Sequence, residues 1–379
     1  MHVGLSLSFQ NLGGLTDREV YQHELSLAGR AEDVGLDSVW TPEHHFSGYM
    51  LTPNVTQFLS WVAARTSRVQ LGTMVTVLPW HDPVRVAENF ALLDHLSDGR
   101  AVIGLGRGLG RTEFTGFRAP QHESRGRFSE YTEAILTGLE TGVMQFDGEY
   151  YRQPPVEIRP APFKSFRNRT YASAISPQSI DLMARLGVGL LVIAQKPWDT
   201  VVAELEAYRE RFVELNGRQP PKPVLCLFVA VSRDRDEAQR MREEYLQGYA
   251  ASTSTHYQFA DAGIAEIAGY EYYAALAKNI EKHGIRKFNS FLADLQVWGT
   301  PEAVTERILE MVRLLDAGAV LINPSFGGMP PQVGRANYDL IVDEVLPVLK
   351  AYDVGGDLGV AYGCGDAARE DEPVAARGA

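Results

Sequence analysis

Cysteine is nearly absent from the chain. The two present, Cys226 and Cys364, lie far apart in sequence. Two thiols make neither a disulfide framework nor a zinc ligand set. Cys226 falls in the apolar run 224–231, so a buried core thiol is expected there. Positive charge is also in deficit: 36 Lys and Arg stand against 48 Asp and Glu, for a net charge of −12. Such a chain repels phosphodiester polymers, which argues against a nucleic-acid partner. The arginines clustered from Arg107 to Arg127 fit one small anionic ligand better. No apolar run approaches the roughly 18 residues of a membrane span. The start of the chain lacks the basic and apolar segments of a signal peptide, so a cytoplasmic location is expected.

What is present is alternation. Strand-like runs at 3–9, 37–41, 69–78, 101–105, 171–175, 189–193, 224–231 and 319–323 alternate with helical runs. Thr16 with Glu19 forms a capping box. Pro83 and Pro301 open helices, and Gly35, Gly187 and Gly318 close them before an apolar strand. A hairpin is expected over 145–158, turning at Asp147-Gly148. Alternating strands and helices give a parallel sheet with helices outside. About eight such units fit an α/β fold of the (β/α)8 TIM-barrel type over residues 1–350. A doubly wound open sheet is the structural alternative. Residues 251–298, polar and then aromatic, break the pattern and are taken as an insertion at the C-terminal face of the barrel. Residues 351–379 are expected to form a disordered tail.

Function in a barrel gathers at the C-terminal ends of the strands. Strand two runs into Glu43-His44-His45-Phe46, where an imidazole could act as a base or hydrogen-bond donor, or merely cap a loop. No metal centre is expected, because adjacent side chains diverge and a third ligand such as His81 would have to be recruited. Strand four runs into Gly104-Leu105-Gly106-Arg107-Gly108-Leu109-Gly110. This is no dinucleotide fingerprint, since Leu109 stands where the third glycine belongs. Bare backbone beside Arg107 suits a flat ring with an anion nearby, or is a plain glycine-rich loop. Arg125 opposes the dipole at a helix start, a conflict that a bound anion or a surface ion pair would relieve. Ser176 and Ser179 open another helix, as a phosphate cradle or as simple caps.

Taken in order, Glu43-His44-His45-Phe46, Leu71-Gly72-Thr73, Val77-Leu78-Pro79, Pro83-Val84-Arg85, Leu92-Leu93-Asp94 and Arg107-Gly108-Leu109 resemble the alpha subunit of bacterial luciferase and its luciferase-like flavin monooxygenase relatives. The likeness is strongest over residues 35–125 and weak after about 215. It implies reduced FMN (FMNH2) supplied by a separate flavin reductase, with O2 forming a peroxyflavin that attacks a small, largely apolar organic substrate. It also implies a homodimer packed through the helices after strands two and three. By position, His44 is implied as the catalytic histidine. Arg107, Arg125, Ser176 and Ser179 are implied as phosphate contacts, and Met74-Val75 as a cis peptide under the flavin ring. Gly106 stands where luciferase has a cysteine beside the flavin, and the long mobile loop of the light-emitting subunits is not recognisable, so light emission is not expected. Two rivals share the barrel: a deazaflavin-dependent hydride-transfer oxidoreductase, and a non-catalytic flavin-binding protein.

Overall fold

The computed structural model describes residues 1–173, 177–261, 263 and 271–355. Eight parallel strands close on themselves: β1 (His2–Ser6), β2 (Ser38–Thr41), β3 (Gln70–Thr73), β4 (Ala101–Gly106), β5 (Thr170–Ala172), β6 (Gly189–Ile193), β7 (Val224–Val231) and β8 (Ala319–Asn323). Each pairs with its sequence neighbour. β8 returns to β1 with Val3 opposite Val320 and Gly4 opposite Leu321, so the ring has no open edge. This is the expected barrel, and it excludes the open sheet. Its interior is packed rather than hollow, with Trp40, Val102, Tyr171, Leu191, Val224, Cys226 and Leu321 forming the inner cluster. Cys226 is the buried thiol its context suggested, and burial pushes it up to about 12.

The outer layer consists of helices whose apolar faces cover the strands. In order they begin with α1 (Asp17–Ala28), α2 (Val55–Ala63), α3 (Pro83–Leu96), α4 (Arg111–Phe117), α5 (Ser124–Thr141), α6 (Pro177–Leu186) and α7 (Trp198–Asn216). The capping box of α1 forms as read: Thr16 Oγ1 accepts from the Glu19 amide, and the Glu19 carboxylate accepts from the Thr16 amide. The regular helix stops at Ala28, and Gly35, at φ 87°, ends the turns that follow. A buried ion pair locks α3 to the segment before β5. Arg169 binds Asp94 through both terminal guanidinium nitrogens, at 2.8 and 3.1 Å. Its remaining donors go to the carbonyls of Lys164, Ser165, Gly99 and Ala101. The hairpin forms from Val143–Asp147 and Arg152–Glu157.

One segment departs from the sequence reading, and another takes on detail that the sequence did not give. The run 69–78 is not one strand. After β3 the Met74–Val75 peptide is cis, and Thr76–Val77 then pairs with the far end of β4. Residues 251–298 break the strand–helix alternation, as read, and their described part is largely helical. After α8 (Arg235–Met241) and a π-helical stretch at Arg242–Leu246 come α9 (Gln247–His256), α10 (Glu271–His283) and α11 (Ile285–Asp294). The strand Val297–Gly299 then pairs with the outer half of β7. The polar run in α9 disguised the helix: Ser252, Thr253 and Thr255 turn their hydroxyls back onto the carbonyls of Tyr249 and Ala251. α12 (Pro301–Leu315), α13 (Pro331–Leu340) and α14 (Leu346–Ala351) complete the shell. Just beyond α14, the Met1 ammonium donates to the Tyr352 carbonyl and Lys222 donates to that of Val354. The tail expected to be disordered lies outside the described residues from 356 onward.

Candidate active site

β2 ends at Thr41, and the chain then carries two histidines in opposite directions. His44 points its Nδ1 at Glu113 Oε1, 3.0 Å away on α4. His45 turns to Glu43 Oε1 at 3.0 Å, which His81 also meets at 2.6 Å. Glu43 uses its second oxygen to accept from the Val77 amide at 2.9 Å, tying this loop to the chain just past the cis peptide. Burial pushes Glu43 up, but the bonds from His45 and His81 and the His81 charge outweigh that, and its carboxyl lies below the usual range. Burial pushes His81 down, while the bond and charge of Glu43 raise it more, so it holds its proton above the usual histidine range.

Glu113 is nearly fully buried and accepts from the His45 amide at 2.9 Å as well as from His44. Burial would raise it, but the neighbouring imidazoles, His256 foremost and then His44, bring it down to about 2. His256, the last residue of α9, faces Glu113 Oε2 at 3.4 Å and meets Ser47 through Nδ1 at 3.2 Å. Its ring stacks on Tyr49 with centroids 4.4 Å apart. The Tyr257 hydroxyl lies 3.4 Å from His44 Nε2. Ligand-type atoms of His44, Glu113 and His256 all lie within 4.8 Å of one another. Glu113 Oε1 is already occupied by two N–H donors, so the cluster reads as a hydrogen-bonded carboxylate between imidazoles.

A cleft at the C-terminal mouth of the barrel, about 1270 Å³ counting its opening to solvent, gathers most of the residues singled out from the sequence. His44, Met74, Val75, Gly106, Arg107 and Ser179 all line it. Ser8 and Asn323 lie at the ends of β1 and β8, and Tyr49, Trp80, Tyr257, Tyr272 and Tyr273 provide aromatic walls. The glycines of β4 have packing reasons of their own. A Cβ on Gly104 would lie 1.8 Å from the Thr73 carbonyl oxygen, and one on Gly106 would lie 2.2 Å from Val75 Cγ2. Gly106 thus lets Val75 lie flat against β4, giving a smooth apolar shelf beside the Arg107 cation. Arg125, in the first turn of α5, is half-buried and is not among the residues lining the cleft; Phe128, one turn on, is. Ser176 lies outside the described residues.

A second recess adjoins the cleft and shares Ser173, Ile193, Gln195, Tyr272 and Tyr273 with it. Its other walls are mostly aliphatic, among them Ile180, Leu190, Val192, Leu205 and Leu276, with Lys196 and Glu204 paired at one side. Glu113 and His256 went unnoticed in the sequence. A lone carboxylate in a short helix and a lone histidine at a helix end carry no local signal, and only the fold brings them together.

Known proteins resemble this chain along most of its length. The model of the luciferase-like monooxygenase family matches residues 1–317. The alkanal monooxygenase alpha chain of Photobacterium leiognathi is 27% identical over 345 residues, covering 89% of this chain and 96% of that one. The alpha chain of Aliivibrio fischeri is 29% identical over 285 residues, 74% of this chain and 79% of that one. Among solved structures, monooxygenase RslO1 from Streptomyces bottropensis superposes with a TM-score of 0.72 at 23% identity, over 92% of this chain and all of the other. The oxygenating constituent of 3,6-diketocamphane monooxygenase from Pseudomonas putida, solved with FMN, gives 0.69 at 20% identity, over 92% of this chain and 98% of that one. An F420-dependent secondary alcohol dehydrogenase gives 0.65 at 16%, with the same coverage.

Proposed function

Because the chain belongs to the luciferase-like monooxygenase family, we propose that it is an FMNH2- and O2-dependent monooxygenase acting on a small, largely apolar organic molecule. The observation that carries this is the convergence of His44, the Met74–Val75 shelf, Gly106, Arg107 and Ser179 on one cleft. These residues fit FMN: a flat apolar shelf for the ring, and a guanidinium with a hydroxyl from the first turn of α6 for the phosphate. Trp80 adds a buried indole N–H with no hydrogen-bond partner among the described residues. When bound, reduced FMN would supply the electrons that activate dioxygen.

The chain's own residues have separate tasks. Arg107 and Ser179 bind and orient the anionic tail. The aromatic walls exclude water from the mouth. His44, with Nδ1 engaged by Glu113, turns Nε2 toward the Tyr257 hydroxyl and can hold or release a proton there. The aliphatic recess receives the apolar part of the substrate. No nicotinamide-type fingerprint follows β4, in keeping with a separate flavin reductase as the source of FMNH2. The test is oxygen-dependent loss of apolar carbonyl and hydrocarbon substrates with photoreduced FMN and no reductase present. His44→Ala should leave FMN affinity unchanged and cut turnover by about 100-fold or more. Unchanged turnover would remove His44 from the reaction.

A further inference from the structure

We infer that Glu113 and His256 are positioning residues for His44: the carboxylate holds the neutral imidazole with its proton on Nδ1, and His256, at the other carboxylate oxygen, competes with His44 for the same negative charge. The inference rests on the proposed role of His44 but concerns only groups of this chain.

Three observations carry it. Glu113 Oε1 takes the His44 Nδ1 and the His45 amide, at 3.0 and 2.9 Å, so that oxygen is saturated from the β2 side. Glu113 Oε2 and His256 Nε2 face each other at 3.4 Å, both buried and neither with a hydrogen-bond partner among the described residues. A proton on that nitrogen would turn the approach into a charge-assisted bond. Finally, the backbone makes room for the pair. A Cβ at Gly110 would lie 2.4 Å from Glu113 Oε2 and 3.2 Å from His256 Nε2. Any other residue at 110 would require the Glu113 carboxylate to shift from this position.

Among the described residues, Glu113 is the only carboxylate paired with His44 or with His256. The groups facing the cluster are the Tyr49 hydroxyl, which meets Thr253, the Tyr257 hydroxyl, which meets His44, and Ser47, which meets His256. Of the charged groups around it, Glu43 on the same loop is taken up by His45, His81 and the Val77 amide, Arg107 lies on the wall of the same cleft, and Arg111 on α4 pairs with Asp261 beyond α9 at 2.7 Å nearer the surface. One buried carboxylate thus stands between two imidazoles 4.8 Å apart by ring centroid. It neutralises one proton. A second would leave an uncompensated buried positive charge, which sets the two imidazoles in competition for one carboxylate. The low proton affinity of Glu113 and the lowered one of His256 agree with a carboxylate that stays charged while His256 stays mostly neutral near pH 7.

The experiment is ¹H–¹⁵N NMR titration of apo-protein labelled with ¹⁵N-histidine, with His44 assigned by its loss in His44→Gln. In the parent protein, neutral His44 should show the Nδ1-protonated form. Glu113→Gln should lower the His44 proton affinity about tenfold or more. His256→Phe, which keeps a ring against Tyr49, should raise it. The acid limb of kcat/KM should shift in the same directions, while His256→Gln, which restores a neutral donor, should return it toward the parent value. A neutral His44 protonated on Nε2, a His44 titration indifferent to both Glu113→Gln and His256→Phe, or stoichiometric metal retained by the purified protein at this cluster would each overturn the inference. Because the NMR readout needs no cofactor, failure to turn over FMNH2 would count against the proposed function and leave this inference standing.

Discussion

Arg107 is the fixed cation on the cleft wall, directly after the glycine that admits Val75. If it binds the phosphate of FMN, replacing it removes a charge-assisted contact worth about 1.5–3 kcal/mol. Arg107→Met should therefore weaken FMN binding by roughly ten- to a hundredfold and leave riboflavin binding unchanged, as equilibrium fluorescence quenching would read. Equal losses for both ligands would mean that Arg107 supports the loop and not the phosphate. At this scale the sequence was legible for position: His44, Gly106 and Arg107, read at strand ends, all line the cleft. It was silent where the role depends on a partner distant in the chain. The His44–Glu113 and Glu113–His256 contacts join three separate strand exits, and nothing local marks them. Arg125 was marked from the sequence by a local conflict alone. Its clash with the helix dipole is a local signal, and the structure leaves it half-buried in the first turn of α5, one turn before the cleft-lining Phe128.

Among the elements, α3 buries Val86, Ala87, Phe90, Ala91 and Leu93 against the barrel but leaves Leu92 46% and Leu96 56% exposed on its other face. Two exposed leucines one turn apart on a surface helix suit contact with a second copy, and α3 follows β3, where the family resemblance implied a dimer contact. Sedimentation should accordingly give a dimer at micromolar concentration, and Leu96→Glu should shift it toward monomer without loss of helicity. A monomeric parent protein, or a variant as dimeric as the parent, would remove α3 as the contact. The helices flanking the barrel were readable from caps and apolar spacing. α10 and α11 were not, although Tyr273, Ala277 and Ile280 fall on one face, as do Phe288 and Leu292. The density of aromatic and polar residues outweighed that periodicity. The break in the third strand is a backbone event at Met74–Val75 that side-chain pattern cannot announce, and the family resemblance alone pointed to it.

For the whole molecule, alternation of strand and helix predicts a helix-covered parallel sheet, and the count of about eight units favours the closed ring over the open sheet. What the ring holds is a question of cofactor, since solved proteins of similar fold include one in complex with FMN and one named for F420. Anaerobic equilibrium titration of the whole chain with FMNH2 and, separately, with reduced F420 decides it most directly. The account predicts one FMNH2 bound per chain, at least tenfold more tightly than reduced F420. Tighter binding of reduced F420, or no saturable binding of FMNH2, would contradict it.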